Sequence, residues 1–351
     1  MHRRPNATVL MKVSTKPETP QRLLVRTPNW LGDAVMALPA MHAVRKAFPQ
    51  TWLGLAAIPS IAPIFEEVTG AGPQQIVVVE SSNETAKLRE GGYDAALLLT
   101  NSFRTAWTAQ RSGISNRWGY ATSGRAPLLT RRVARPRRPV HQSEYYLALV
   151  RGLGIEAPSM LPHIEVSEDT RRRTRRLFEL TEIADDAPLV GFAPGAAYGH
   201  AKRWPPDRVG QVITRLVRER GARCLLVGAG ADREAGREIE STVPPDIRVV
   251  NLIGRTDLRQ LTGVLEACRA FVSNDSGAMH LAAAVGVPVT AIFGPTNERA
   301  TAPAGDHDVI LRQVFCRPCM LRECPIDHRC MKRISAEDVY ASVARRMERT
   351  A

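Results

Sequence analysis

No apolar run in the 351 residues approaches the roughly 18 that a membrane-spanning helix needs. The opening stretch "MHRRPNATVLMKVSTKPETPQ" lacks both a continuous apolar signal core and a small-residue cleavage site, so residues 1–21 read as a disordered, cytosolic extension. Aromatic residues make up only 5%, and neither the aromatic pattern of an RNA-binding sheet nor a helix-turn-helix is present. Acidic residues fall short of basic ones, 35 against 48, which leaves a net charge of +13 and favours anionic partners: nucleic acid, a phosphorylated substrate or an acidic membrane surface. A complete dinucleotide fingerprint is also missing. In "LLVGAGADREAGREIE" Gly228 and Gly230 follow a strand, but Arg233 stands where the third glycine belongs, which argues against a nicotinamide oxidoreductase. There Asp232 and Glu234 read as ribose ligands or, more plainly, as solvated acids at a helix start.

The length suits two domains, and 44% hydrophobic residues can fill two cores, which excludes a small disulfide scaffold. From Arg22 short apolar runs alternate with longer amphipathic ones: "LLVRTPN", "WLGLAAI", "QQIVVVE", "YDAALLLTNS". After the charged helix "EDTRRRTRRLFEL" the rhythm restarts with "LVGFAPG", "RCLLVGAG", "RVVNLIG", "AFVSND" and "PVTAIFGPT". Such alternation predicts parallel strands joined by helices. It divides the chain into an α/β domain over 22–185, a second over 186–333 and a helix over 334–351 that packs back toward the first domain. Ligands of such sheets bind beyond the strands' carboxyl ends, in the turns that lead into helices.

Three turns carry chemistry. In "TPNWLGDAVM" Asp33 sits where an apolar strand gives way to a helix, whose positive end is expected to depress its pKa. In "FVSNDSGAMHLAAAVG" a strand ends at Asp275, Ser276 and Gly277 turn, and a small-residue helix begins; its free amides suit a phosphate, although Asp275 and Ser276 as simple caps explain the turn as well. His280 in that first helical turn reads alone as a packed side chain. In "FAPGAAYGHAKRWPPDRVG" a tight turn at Pro194 and Gly195 leads to Lys202 and Arg203, cations placed to neutralise a leaving diphosphate or simply a solvated basic loop. Gly254 and Thr256 in "NLIGRTDLRQL" border a further strand-to-helix turn suited to a nucleotide base.

Taken in order, "TPNWLGDAVMALPAM", "PGAAYGHAKRWPP", "IGRTDLRQL" and "SNDSGAMHLAAAVGVPVTAIFGPT" resemble the ADP-heptose–lipopolysaccharide heptosyltransferases of glycosyltransferase family 9, most closely the branch that adds the second heptose. The resemblance runs from Leu23 to the C-terminal helix. It implies a GT-B architecture, an α/β fold of two Rossmann-like domains facing an interdomain cleft, with the acceptor on the first and the nucleotide-sugar on the second. The implied reaction is inverting transfer of L-glycero-D-manno-heptose from ADP-heptose onto the first heptose of the lipopolysaccharide inner core, with no cofactor or divalent metal. It implies a cytoplasmic enzyme, peripheral to the inner membrane, whose partners are ADP-heptose and a lipid A–inner core acceptor rather than nucleic acid.

By the same resemblance Asp33 is the general base, Lys202 meets the nucleotide and offsets diphosphate charge, and Asp275 meets the donor. Ser276, Gly277 and Ala278 offer amides to the phosphates, Thr256 lines the adenine pocket, and His280 belongs with the donor contacts. Ala196 and Ala197 depart from the hydroxyl residues of the first heptosyltransferase branch, so phosphate contacts there fall to the backbone. Asn29, Trp30 and Arg104 are candidates for the acceptor wall, and the basic run "TRRVARPRRPV" for attraction to an anionic acceptor and membrane. A different acceptor within the family, or a nucleotide-sugar epimerase of the same architecture, are the alternatives.

Of six cysteines, Cys224 and Cys268 lie in apolar segments and read as buried thiols. Cys316, Cys319, Cys324 and Cys330 follow C-x2-C-x4-C-x5-C, which leaves open a structural zinc site, with His328 as an alternative ligand, or a compact loop of thiols. Such a cluster after the donor-domain helices is structural under either reading.

Overall fold

The computed structural model describes residues 15–183 and 187–349. In the first lobe the strands are β1 (Arg22–Arg26), β2 (Trp52–Ala57), β3 (Gln75–Val78), β4 (Ala95–Leu98), β5 (Asn116–Tyr120) and β6 (Arg131–Val133). Its helices are α1 (Leu31–Met36), α2 (Leu38–Ala47), α3 (Glu84–Glu90), α4 (Phe103–Arg111) and α5 (Gln142–Gly152), and α6 (Glu168–Thr181) crosses to the second lobe. The second lobe has β7 (Leu189–Ala193), β8 (Arg223–Leu226), β9 (Val249–Asn251), β10 (Ala270–Asn274), β11 (Val289–Phe293) and β12 (His307–Leu311). Around them lie α7 (Pro206–Arg220), α8 (Arg233–Thr242), α9 (Leu258–Glu266), α10 (Gly277–Ala284), α11 (Glu298–Thr301), α12 (Arg329–Lys332) and α13 (Ala336–Arg349).

Both sheets have six strands, ordered β3-β2-β1-β4-β5-β6 and β12-β11-β10-β7-β8-β9, with every adjacent pair parallel. Counted from its own first strand, the second sheet repeats the order of the first. Runs such as "LVGFA" in β7 and "VTAIF" in β11 are buried throughout, as strands covered by helices on both faces must be. The strand order reverses between β1 and β4 and between β7 and β10, and a crevice opens beyond the carboxyl ends at each reversal.

Three boundaries differ from the sequence reading. Helix α6, expected in the first domain, packs on the second: Thr174 abuts Gly263, and Arg171 pairs with Glu266 at 2.7 Å. The chain therefore crosses between lobes before α6, not near Asp185, which lies outside the described residues. Helix α13, expected to return to the first lobe, buries Val339, Tyr340, Val343 and Met347 in the core of the second, beside Ile213 and Leu216 of α7. Its apolar stripe matches the nearest uncovered face, that of the sheet it follows. Of the expected disordered extension, residues 1–14 lie outside the described residues, while Gln21 is held by the Asp94 carboxylate at 2.9 Å and Thr51 donates to the Pro20 carbonyl at 2.7 Å.

Candidate active site

The starts of α1 and α10 meet across the gap between lobes, and two glycines permit it. A Cβ on Gly32 would lie 2.7 Å from His280 Cδ2, and one on Gly277 would lie 2.8 Å from Leu31 Cβ, so neither position tolerates a side chain without displacement. A cavity of about 340 Å³ beside this contact is lined by Asp33 and Gly32 from the first lobe and by Lys202, Asp275, Ser276 and His280 from the second. It adjoins a larger cavity of about 560 Å³ with Thr256, Ala196, Ala197 and Ala278 in its wall; Trp30, Ser276 and Gly277 border both.

Asp33 accepts a hydrogen bond from the Tyr146 hydroxyl at 3.1 Å. Its pKa is raised, not depressed as the helix start alone suggests. Burial disfavours the carboxylate more than the hydrogen bonds from Tyr146 and Gln142 favour it. α1 is only six residues long, and the favourable effect of its start is outweighed by burial.

On the other wall Lys202 Nζ lies 2.6 Å from Asp275 Oδ2, and the pair is almost wholly buried, with side chains 11% and 8% exposed. Thr296 donates to the same carboxylate oxygen at 2.7 Å, and the Tyr198 ring lies 4.7 Å from the ammonium. The carboxylate of Asp275 is thus engaged by Lys202 and Thr296 through one oxygen, in the wall of the smaller cavity. His280 is buried, its Nδ1 has no hydrogen-bond partner among the described residues, and burial pushes its pKa down to about 4, so it is neutral at pH 7.

A family model described as glycosyltransferase family 9 (heptosyltransferase) matches residues 85–329. The chain belongs to that family. It is 32% identical over 312 residues to lipopolysaccharide heptosyltransferase 2 of Escherichia coli K12, covering 84% of this chain and 88% of the relative. It is 30% identical to lipooligosaccharide heptosyltransferase 2 of Haemophilus influenzae, over 83% of this chain and 88% of that one. The solved structure of E. coli ADP-heptose LPS heptosyltransferase II superposes with a TM-score of 0.81 at 28% identity, covering 94% of this chain and 99% of that one. The protein is therefore a glycosyltransferase of GT-B fold.

Within this glycosyltransferase the residues expected at the donor all border the two cavities. Of the acceptor candidates Trp30 does too, at 58% exposure. Asn29 and Arg104 are in neither lining: they belong to a network in which buried Arg26 bonds Asn29 at 3.0 Å and Glu84 at 2.6 Å, and Glu84 also pairs with Arg104. Asp232, one of two acids considered for the ribose, borders the larger cavity, caps the Ala229 amide at 3.1 Å and lies 3.4 Å from Arg203. A Cβ on Gly195 would strike its carboxyl, which explains that glycine.

Residues the sequence reading missed include Tyr146, Gln142, Tyr198 and Thr296. Thr296 was detectable, since it follows β11 at a strand's carboxyl end. Tyr146 was not, because nothing in its helix reports a contact 113 residues away.

The thiols at Cys224 and Cys268 are buried as expected, the latter pushed up to about 12 by burial. Among the described residues no group of three or more His, Cys, Asp or Glu is placed to hold a metal ion, the C-terminal cysteines included. Cys330 is buried at α12, Cys319 is exposed, and the backbone of His328 donates to Cys324 Sγ at 3.3 Å. The loop braces the lysine turn instead, through Tyr198 Oη to the Met320 carbonyl at 2.7 Å and the Ala201 amide to the Arg322 carbonyl at 2.9 Å.

Proposed function

We propose that the protein is an inverting heptosyltransferase that moves L-glycero-D-manno-heptose from ADP-heptose onto the first heptose of the lipopolysaccharide inner core, at the cytoplasmic face of the inner membrane. The observation that carries this reading is the shared cavity in which Asp33 faces the Lys202–Asp275 pair. The acceptor hydroxyl attacks the anomeric carbon while its proton passes to the Asp33 carboxylate. The bond from that carbon to the diphosphate oxygen breaks, and ADP departs with the electron pair. Lys202 and the amides at Ser276–Ala278 meet the charge that develops. The raised pKa of Asp33 makes it a better proton acceptor than an ordinary carboxylate, and such a base contributes roughly 10²- to 10⁴-fold in rate.

In this reading adenosine occupies the larger cavity near Thr256, and Asp275 keeps Lys202 aimed. The test is to incubate the protein, with and without EDTA, with ADP-heptose and a lipid A core bearing one heptose. A product heavier by one heptose, formed equally under both conditions, supports it; no mass gain refutes it.

A further inference from the structure

Helix α4 inverts the usual pattern of a surface helix. The residues it turns to its own sheet are small, Thr105, Ala106, Thr108 and Ala109, and all are buried. Its large apolar residues face water: Phe103 is 49% and Trp107 is 46% exposed. The two rings stack with centroids 6.3 Å apart and planes 17° apart, and the Arg111 guanidinium lies 6.0 Å from the indole. Scattered exposed apolar residues need no explanation, but a stacked aromatic pair on a helix whose inner face has no such residue is informative.

The charge around the pair is positive. Arg104 and Arg111 are exposed on the same helix, and Arg89 donates to the Arg111 carbonyl at 3.0 Å. Glu84, which pairs with Arg104, is buried and shared with Arg26, so it adds little negative field outside. Because the strands are parallel, the start of α4 after β4 and the exposed arginines Arg135, Arg137 and Arg138 after β6 emerge at one edge of the sheet. The Asp33 turn after β1 emerges there too.

We propose that the Phe103–Trp107 pair and these arginines form the surface by which the protein lies on an anionic phospholipid bilayer. The rings enter the headgroup region, where aromatic side chains partition well, and the arginines meet lipid phosphates. Charge complementarity favours this occupant, and the position would turn the sheet edge bearing Asp33 toward lipid-anchored acceptors. The proposal rests on the membrane-facing part of the function given above.

Flotation of the full chain with vesicles of phosphatidylglycerol and phosphatidylethanolamine tests it, with phosphatidylcholine vesicles as the neutral comparison. Wild type is expected to float with the anionic vesicles only, and F103S/W107S to lose about tenfold or more of that partition. The same variant should keep wild-type turnover on a lipid-free, heptose-bearing oligosaccharide. In W107F, binding should persist while tryptophan quenching by brominated acyl chains falls, a readout that does not depend on the double variant folding. Absent binding by wild type, equal binding by F103S/W107S, or quenching unchanged in W107F overturns the proposal. So does RNA binding that the double substitution abolishes while vesicle binding stays. Failure of wild type to act on the oligosaccharide would instead count against the transferase reading, and the vesicle result would stand apart from it.

Discussion

Two carboxylates face the cleft beside the points where the two sheets reverse order, Asp33 in the first turn of α1 after β1 and Asp275 between the end of β10 and the start of α10. Their surroundings differ. Asp33 faces a phenol at 3.1 Å and no described cation within ion-pair distance, and burial raises its pKa. Asp275 holds an ammonium at 2.6 Å and a threonine hydroxyl at 2.7 Å. On the roles proposed above, two strand-to-helix connections serve a proton acceptor on one wall and an anchor for a cation on the other. Neighbours from distant parts of the chain decide which, and the strand-turn-helix does not.

Substitution at each carboxylate tests this contrast most severely. Asp33→Asn keeps shape and hydrogen bonding but cannot take a proton, so kcat should fall by roughly 10³-fold while ADP-heptose affinity, measured by calorimetry, changes little. Asp275→Asn should do the reverse in kind. It strands a buried ammonium, which typically costs about 3–5 kcal/mol of folding stability, visible in a denaturant titration, and it weakens donor binding. Lys202→Met in the Asp275→Asn background should cost less than the two single changes added together, because the stranded charge is gone. If Asp33→Asn lost donor affinity and Asp275→Asn lost only turnover, the assigned roles would have to be exchanged.

A smaller effect is expected at the neighbour that defines Asp33. The Tyr146 hydroxyl stabilises the ionised carboxylate, so Tyr146→Phe should raise its pKa further. Since the base must be deprotonated, activity is lost as pH falls through that pKa; the acid limb of kcat/KM should therefore move to higher pH, with a loss of about tenfold or less at neutral pH. An unmoved acid limb would mean that Tyr146 only fills space.

The fold was legible because parallel strands covered on both faces read as short apolar runs, and "LVGFA" and "VTAIF" announce themselves without knowledge of their partners. The turn residues were legible as candidates because the connections that follow strands gather at one edge of such a sheet, and Asp33, Lys202 and Asp275 all lie in the connections after β1, β7 and β10. Sequence could not show the sign of the Asp33 shift, which depends on burial in the folded chain, nor that Asp275 would be engaged by Lys202 and Thr296. The docking of α13 escaped as well: its 14 residues show an apolar stripe but not which of two similar sheets receives it.

The mildest prediction bears on why the walls lie so close. A methyl added in Gly32→Ala would sit 2.7 Å from the His280 ring, whose burial leaves it little room to retreat. Overpacking of this kind costs about 1–3 kcal/mol, and the lobes should shift by tenths of an ångström, giving a few-fold loss of kcat and a lower midpoint of thermal unfolding. His280→Ala opens space at the same spot but leaves a void of its own. Combined in one chain, the two changes should partly compensate, with an interaction of about 0.5–3 kcal/mol in a double-mutant cycle. Strict additivity would mean that α1 and α10 do not touch there in solution. Compensation would show that the glycine beside Asp33 is set by the opposite lobe, not by the turn that contains it.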